Sequence, residues 1–407
     1  MCDVSPVPKS SPANIHQLRP ITLLSIPAKL LEWHLLKHTR DIFNRNIPSH
    51  QYAYKLKSDT TCCLVSVHDF VTKVLDESNV ACCVLINYDF SKAFDTINHQ
   101  ILLRKLQFLD FPRGFIRLMY SYLSDRKQRV RLGNVSSSYL PVTSGAPQGS
   151  LLGPLLFVIY CHDLLPLSPF THIVQYADDI CEIIPILKTC TNDASRVVVS
   201  EFDKLRNWAY VNNFKLNSDK TKAICFDKKL SVLHLNDFPI DVVENLKILG
   251  VTLNKTLKWN AHFHDLELRC SRRLYMLRVL KSVLTHDELW CVFRANIETV
   301  LLYCSPLFGI LNHECRNVIS KIFNRARRII CFPDCKCHNV LINFHERRRK
   351  IFDEFYRKSH AEDHPLHGIL SHPSCNDRVQ VLHCNTKRRQ NCFVILSTLL
   401  VNDLCTL

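Results

Sequence analysis

The sequence predicts an α+β fold with sheet and helices segregated, and three segments predict it. Val80–Tyr88 (VACCVLINY) is a short apolar run rich in β-formers, which reads as a buried strand ending at Asp89. Gln128–Gly133 alternates and pairs with Tyr139–Thr143 as a hairpin, which leads through a glycine-rich turn into a buried helix over Leu151–Leu164. Two further strands, Thr171–Tyr176 and Ile180–Ile184, flank Ala177-Asp178-Asp179.

The remaining elements follow in order. Residues 1–14 are rich in Pro and Ser and are expected to be loose. Helical periodicity runs through Ile26–His38 (Leu30, Leu31, Trp33, Leu35, Leu36) and again through Cys62–Asp76. After Asp89 a helix is expected from Ser91 to Leu109. A second long helix spans Asn192–Asn212, followed by strands at Phe214–Asn217, Ala223–Phe226 and Leu246–Leu253. From Leu257 onward the pattern is mostly helical, with no internal repeats or low-complexity tracts.

Composition narrows the function classes. The 407 residues hold 47% hydrophobic and 22% charged side chains, too apolar for a disordered chain and long enough for two or three domains. The longest apolar run, Leu155–Cys161, is far short of a membrane span, and the first residues lack the apolar core of a secretory signal. The 20 cysteines therefore read as reduced, buried small side chains of an intracellular protein, with nucleus and cytoplasm the expected compartments. The 52 Lys and Arg against 37 Asp and Glu leave a net charge of +15. Lys321, Arg325, Arg327, Arg328, Lys336, Arg347, Arg348, Arg349 and Lys350 cluster in one segment with only Asp334 and Glu346 to oppose them. Such a stripe is the footprint of a polyanion partner, or else a solvated helix face.

Two features carry chemistry. Three of the eight glycines, Gly145, Gly149 and Gly153, fall within SGAPQGSLLGP, where backbone must turn tightly or meet a ligand. Asp89 ends a buried strand, and Asp178 and Asp179 fill a hairpin turn. A lone Asp-Asp pair makes an ordinary polar turn. Two adjacent acids at a turn repel each other, and a divalent ion is the simplest remedy. Hard oxygen ligands suit Mg²⁺, and two such ions can clamp the attacking and leaving oxygens of a phosphoryl displacement.

YDFSKAFD (88–95), SGAPQGSLLGPLLF (144–157), YADD (176–179), NNFKLNSDKTK (212–222) and LKILGVTL (246–253) follow one another in that order. Together they resemble the palm of a reverse transcriptase of the non-LTR retrotransposon kind, and the likeness runs from about Leu18 (LRPITLLS) to Trp259 and His262. The resemblance implies a right-hand polymerase fold: an antiparallel palm sheet backed by helices, with fingers and a mostly helical thumb. It divides the chain into a loose segment (1–14), fingers and first palm strand (15–88), palm with remaining fingers elements (89–245), palm–thumb junction and thumb (246–310), and a basic, Cys/His-containing helical region (311–407).

The function it implies is RNA-directed DNA synthesis. Asp89, Asp178 and Asp179 would bind two Mg²⁺ ions, with Mn²⁺ able to substitute, and deoxynucleotides would join a DNA primer on an RNA template. By the same resemblance Phe94 is the steric gate against a 2′-hydroxyl, and Gln148 and Gly149 contact the nucleotide. Arg19 lies on base and triphosphate, Lys220 protonates pyrophosphate, and Gly250 marks the strand beside the primer. Arg325, Arg327, Arg328, Arg347, Arg348 and Arg349 would grip nucleic-acid phosphates. Cys331, Cys335, Cys337 and His338, with His360, His364, His367, His372, Cys375, His383 and Cys384, fit no common zinc spacing, so zinc is not expected. Lys55, Asp110 and His162 depart from the family pattern, and the chain starts almost at the fingers motif, so an alternative expectation is a truncated, inactive remnant that only binds nucleic acid.

Overall fold

The computed structural model describes residues 1–8, 18–166, 168–227, 240–331, 340–370 and 384–404, with side chains described as far as residue 398. The chain opens with β1 (Cys2–Pro8), β2 (Leu18–Leu23), α1 (Ile26–Asn46), α2 (Thr60–Asp76) and β3 (Val80–Tyr88). Next come α3 (His99–Phe108), α4 (Arg113–Leu123), β4 (Lys127–Leu132), β5 (Val135–Ser136), β6 (Leu140–Pro141) and α5 (Gly153–Tyr160). The middle of the chain holds β7 (His172–Tyr176), β8 (Asp179–Leu187), α6 (Ala194–Val211), β9 (Lys222–Asp227) and β10 (Asp241–Val242). A hairpin of β11 (Asn245–Ile248) and β12 (Val251–Asn254) precedes α7 (Asn260–Leu280), α8 (His286–Phe293), α9 (Thr299–Leu302) and α10 (His313–Ile330). The last elements are α11 (Val340–Ser359), α12 (His367–Leu370), α13 (Lys387–Gln390) and α14 (Phe393–Leu404).

The α+β expectation holds: strands gather into sheets of order β2-β1-β4-β5 with β6 on β4, β10-β9-β3-β8-β7, and β11-β12. The chain forms two compact units that alternate along the sequence. Met1–Leu56, Tyr88–Glu182 and Arg196–Thr221 make the first, and Lys57–Asn87, Ile183–Ser195 and Lys222–Leu407 make the second.

Local sequence explains where helices begin. Asp59 accepts the Cys62 amide at 2.9 Å, Asn98 accepts those of Gln100 and Ile101, and Asn312 accepts that of Cys315 at 2.9 Å. Thr285 and Glu288 form a capping box on α8. The helix from Ser91 to Leu109 is interrupted. Lys92 takes the left-handed conformation at φ 51°, one tight turn follows at Ala93–Asp95, and α3 restarts only under its Asn98 cap. The Leu151–Leu164 helix is shorter, spanning Gly153–Tyr160. Helix α4, which the pattern reading passed over, buries Phe115, Met119 and Leu123 at four-residue spacing.

Three other expectations are corrected. Residues 2–8 are not loose. They form β1, antiparallel to β2 from Asp3↔Leu23 to Pro8↔Leu18 and parallel to β4, with Val4 buried and Asp3 paired with Arg129 at 2.7 Å; residues 9–14 lie outside the described residues. Leu246–Leu253 is two strands, not one, because Leu249 and Gly250 both have positive φ, at 45° and 84°, and make a two-residue hairpin turn. The Phe214–Asn217 strand reduces to a single bridge, Phe90↔Leu216.

Helix α1 inverts its expected face. Leu30, Leu31 and Trp33 are exposed, and its buried residues are Glu32, Thr39 and Phe43.

In the first unit, polar networks tie the elements that carry the candidate site. Lys105 Nζ donates to the Tyr160 carbonyl at 2.5 Å, Asp163 Oδ1 at 2.8 Å and Asn212 Oδ1 at 2.6 Å. Tyr88 donates to Glu182 Oε2 at 2.6 Å; burial, with Glu201 nearby, raises the Glu182 carboxyl to about 7 despite that bond. An acid whose folded value exceeds its unfolded one stabilises the fold while it keeps its proton, and that contribution drains away between about pH 4.5 and pH 7. Glu182→Gln keeps an acceptor for Tyr88 and cannot ionise. Its melting temperature should therefore lose the fall seen across that window in the parent, a term on the order of 3 kcal/mol. Parallel melting curves of the two proteins from pH 4.5 to 8 would refute this assignment.

Among the described residues no helix is long and apolar enough to cross a membrane.

Candidate active site

Asp89 follows β3 directly, and backbone straps fix it. The Asn217 amide donates to the Asp89 carbonyl at 2.8 Å, and the Asp89 amide donates to Thr221 Oγ1 at 3.3 Å. Ser91 donates to the Lys215 carbonyl at 2.8 Å, and Phe90 stacks on Phe214. The segment 212–222 is thereby laced to the strand end, and its Lys220 Nζ stands 3.9 Å from Asp89 Oδ2.

The second carboxylate pair sits where β7 turns into β8. Ala177 adopts φ 56°, Asp178 is exposed at the tip, and Asp179 opens β8 half-buried. The turn is braced by a residue that sequence reading did not select. Gln51 Oε1 accepts the amides of Ala53 at 2.9 Å and Ala177 at 3.1 Å, while the Tyr52 amide donates to the Gln175 carbonyl and the Gln175 amide to the His50 carbonyl. A lone Gln in a polar stretch gives no pattern signal, so only its two bonds reveal it.

The three carboxylates are electrostatically coupled. Burial first, then the charges of Asp178 and Asp89, raise the Asp179 carboxyl from 3.8 to about 6. Among the described residues no three His, Cys, Asp or Glu side chains converge as a preformed metal centre. The donor set is nonetheless oxygen-only, negatively charged and partly desolvated, and it suits a hard divalent cation, which would offset the repulsion carried by Asp179.

The glycine cluster forms a loop bonded to the segment that follows Asp89. Gly145 has φ 88°, and a Cβ there would meet Asp95 backbone at 2.9 Å. Gly149 has φ 112°, and a Cβ there would meet the Thr22 carbonyl at 2.9 Å, so neither position accepts a side chain. Gly145 donates to the Ile97 carbonyl at 2.8 Å and Ala146 to the Phe94 carbonyl at 2.9 Å. Gln148 Nε2 donates to Asp95 Oδ1 at 2.8 Å, and its carbonyl accepts the Thr22 amide at 2.7 Å. Asp95, quoted in the sequence only as the last letter of a motif, emerges as the orienting partner of Gln148. Phe94 is half-buried and stacks on Phe157 with centroids 4.4 Å apart. Lys92, Asp95, Arg126, Gln128 and Gln148 line a polar cavity of about 330 Å³ beside this loop. Arg19 lies exposed on β2, opposite Val7 of β1.

A family model described as reverse transcriptase (RNA-dependent DNA polymerase) matches residues 7–253. The chain belongs to the reverse transcriptase family. The family's right-hand polymerase fold and its metal dependence come with that membership. The chain is 31% identical over 346 residues to the probable RNA-directed DNA polymerase from transposon BS of Drosophila melanogaster, covering 81% of this chain and 37% of that one. It is 27% identical over 401 residues to the RNA-directed DNA polymerase from mobile element jockey of Drosophila funebris, covering 92% of this chain and 43% of that one. It thus spans about two fifths of the length of these relatives. Apo telomerase from Candida tropicalis superposes with a TM-score of 0.46 at 12% identity, covering 88% of this chain and 63% of that one.

The second unit carries the basic stripe noted in the sequence. Arg327 and Arg328 are exposed on α10, and Arg325 donates to Ser271 at 2.7 Å. Together with Arg278, Lys281 and Tyr275 of the α7 segment, Arg325 and Arg328 line a groove of about 520 Å³. Helix α11 behaves differently. Arg347 pairs with the buried Glu298 and Arg348 donates to the Gly309 carbonyl, where burial lowers its guanidinium below the usual range, while Arg349 stays exposed 4.0 Å from Asp353. The expected stripe is therefore split, with two of its arginines directed inward. Cys335, Cys337, His338, His372, Cys375 and His383 lie outside the described residues, and His364 instead contacts Cys62, 3.8 Å away.

Proposed function

We propose that the chain is the polymerase module of a non-LTR retroelement, adding deoxynucleotides to a DNA primer on an RNA template. The observation that carries the reading is the coupled trio Asp89, Asp178 and Asp179, held at two strand ends by backbone straps. In this reading Asp89 and Asp178 hold two Mg²⁺ ions, with Asp179 completing the negative cluster. Bound there, the ions would acidify the primer 3′-hydroxyl and neutralise charge developing on the leaving pyrophosphate. Lys220, exposed beside Asp89, supplies a proton to that leaving group. Gln148, oriented by Asp95, and Gly149, bare of side chain, receive the nucleotide, Arg19 covers its base and triphosphate, and Phe94 blocks a 2′-hydroxyl.

The sheet segments carrying the three acids serve as palm, β1 and β2 with α1 as fingers, and α7 to α10 as thumb. The basic groove of Arg278, Lys281, Arg325 and Arg328 supports duplex backbone binding without sequence readout. An intracellular, reducing compartment belongs to the same reading, in keeping with cysteines that are mostly buried among the described residues.

Primer extension on a homopolymer RNA template tests this. The parent is expected to incorporate deoxynucleotides and to reject ribonucleotides, and Phe94→Ala should admit ribonucleotides at least ~10-fold better with little change in deoxynucleotide use. Incorporation of neither class by the parent would overturn the polymerase reading. Unchanged sugar selectivity in Phe94→Ala would overturn the gate alone.

A further inference from the structure

Helix α1 presents most of its length to solvent, yet Glu32 is only 2% exposed. A carboxylate so buried is costly unless donors meet both oxygens. Glu32 has them: the Tyr122 hydroxyl donates to Oε1 at 2.6 Å, and the Leu151 amide donates to Oε2 at 2.7 Å. Both are short, as bonds to an ionised acceptor are. Tyr122 comes from α4, so the carboxylate pins three separate segments together.

The position of Leu151 gives the contact its meaning. Upstream of Gly149 the loop is already fixed, by Thr22 on the Gln148 carbonyl and by Asp95 on the Gln148 side chain. Gly149 itself, at φ 112°, offers no side chain to anchor. Downstream, the Ser150 amide donates to the Pro147 carbonyl at 3.2 Å, its Oγ accepts the Gly153 amide at 2.7 Å, and its hydroxyl also bonds the Tyr122 hydroxyl, the same group that Glu32 holds. Glu32 thus anchors the downstream side of Gly149 to other elements, directly through the Leu151 amide and through Tyr122, which also meets Ser150.

We propose that Glu32 is a positioning residue for nucleotide binding: by holding the Leu151 amide from α1, it fixes the downstream side of the Gly149 turn and keeps Gln148 and Gly149 in the geometry that receives the incoming deoxynucleotide. This rests on the polymerase reading above. The carboxylate touches neither substrate nor the three acids; it acts through the loop.

Three variants test it, by single-nucleotide incorporation and by amide exchange at Leu151. Glu32→Ala should raise KM for the deoxynucleotide at least ~10-fold with kcat within a few-fold, the split expected when binding geometry rather than chemistry is lost. Its Leu151 amide should exchange at least ~10-fold faster. Glu32→Gln should restore most of both, since its carbonyl can accept the Leu151 amide and its NH₂ can donate to the Tyr122 oxygen. Tyr122→Phe should show a smaller rise in KM. Unchanged KM in Glu32→Ala, a loss confined to kcat, unaltered Leu151 exchange, or a Gln variant as impaired as the Ala variant would each overturn the assignment. If the parent incorporates no nucleotide, the polymerase reading fails and this proposal fails with it, whereas an active parent with KM unmoved in Glu32→Ala refutes the role of Glu32 alone.

Discussion

Asp178→Asn is expected to lower nucleotide addition by at least ~10³-fold while leaving affinity for a primer–template within about two-fold. The side chain is exposed at the tip of a turn that the Ala177 φ of 56° and the Gln51 bond to the Ala177 amide help to shape, and Asn keeps its size. The melting temperature should therefore hold. Losing that negative charge also removes one of the two neighbours that raise Asp179, so the Asp179 carboxyl should titrate below about 6 in the variant. Single-turnover extension with excess enzyme, alongside fluorescence anisotropy of labelled primer–template, separates the two effects. Extension at the parental rate would refute a ligand role for Asp178.

Arg389→Ala is expected to destabilise the protein by ~3–5 kcal/mol, the usual result of stranding a buried charge. Arg389 is 4% exposed and Asp69, on α2, is 7% exposed. Its Nη1 donates to the Asp69 carboxylate, to the Asp69 carbonyl at 2.9 Å and to Thr72 at 3.2 Å, which binds α13 to α2 within the second unit. Urea denaturation should show the loss as a lower midpoint, and the double variant Asp69→Leu, Arg389→Met should recover most of it, because removing both charges leaves nothing to solvate. A single variant as stable as the parent would show that the pair is not a closed buried contact.

Parts of this were legible in the sequence because they rest on local rules. The apolar run ending at Asp89 and the strand–Asp-Asp–strand unit need no tertiary information. The functional motifs were legible as well, and the family match over residues 7–253 bears that resemblance out. What escaped depended on partners far along the chain. The Pro/Ser-rich start reads as loose until β2 and β4 are there to pair with it. The leucines of α1 obey helical periodicity, yet the helix turns Glu32 inward, since two donors elsewhere in the fold outweigh the desolvation that a single helix would predict. Leu249 defeated the strand reading because a branched side chain at φ 45° violates the preference for glycine in such turns. Tyr303 accounts for its tolerance, donating to the Leu249 carbonyl at 2.7 Å. Gln51 acts through the two amides its side-chain oxygen accepts and Asp95 through the bond it accepts from Gln148, which no composition or spacing rule can anticipate.

The alternation of the two units along the chain sets a timetable for synthesis. Strand β3 leaves the ribosome long before either neighbour in its sheet: β8 begins about 100 residues later, and the partner of Cys82, Asp227 in β9, about 145 residues later. At ~5–20 residues per second this is a wait of roughly 5–30 s, with a nine-residue strand and its two cysteines uncovered. Nascent chains in this interval carry the β-rich, uncharged segment that seeds aggregation, so yield in a foreign host should depend more on elongation rate and chaperone supply than on the stability of the finished protein.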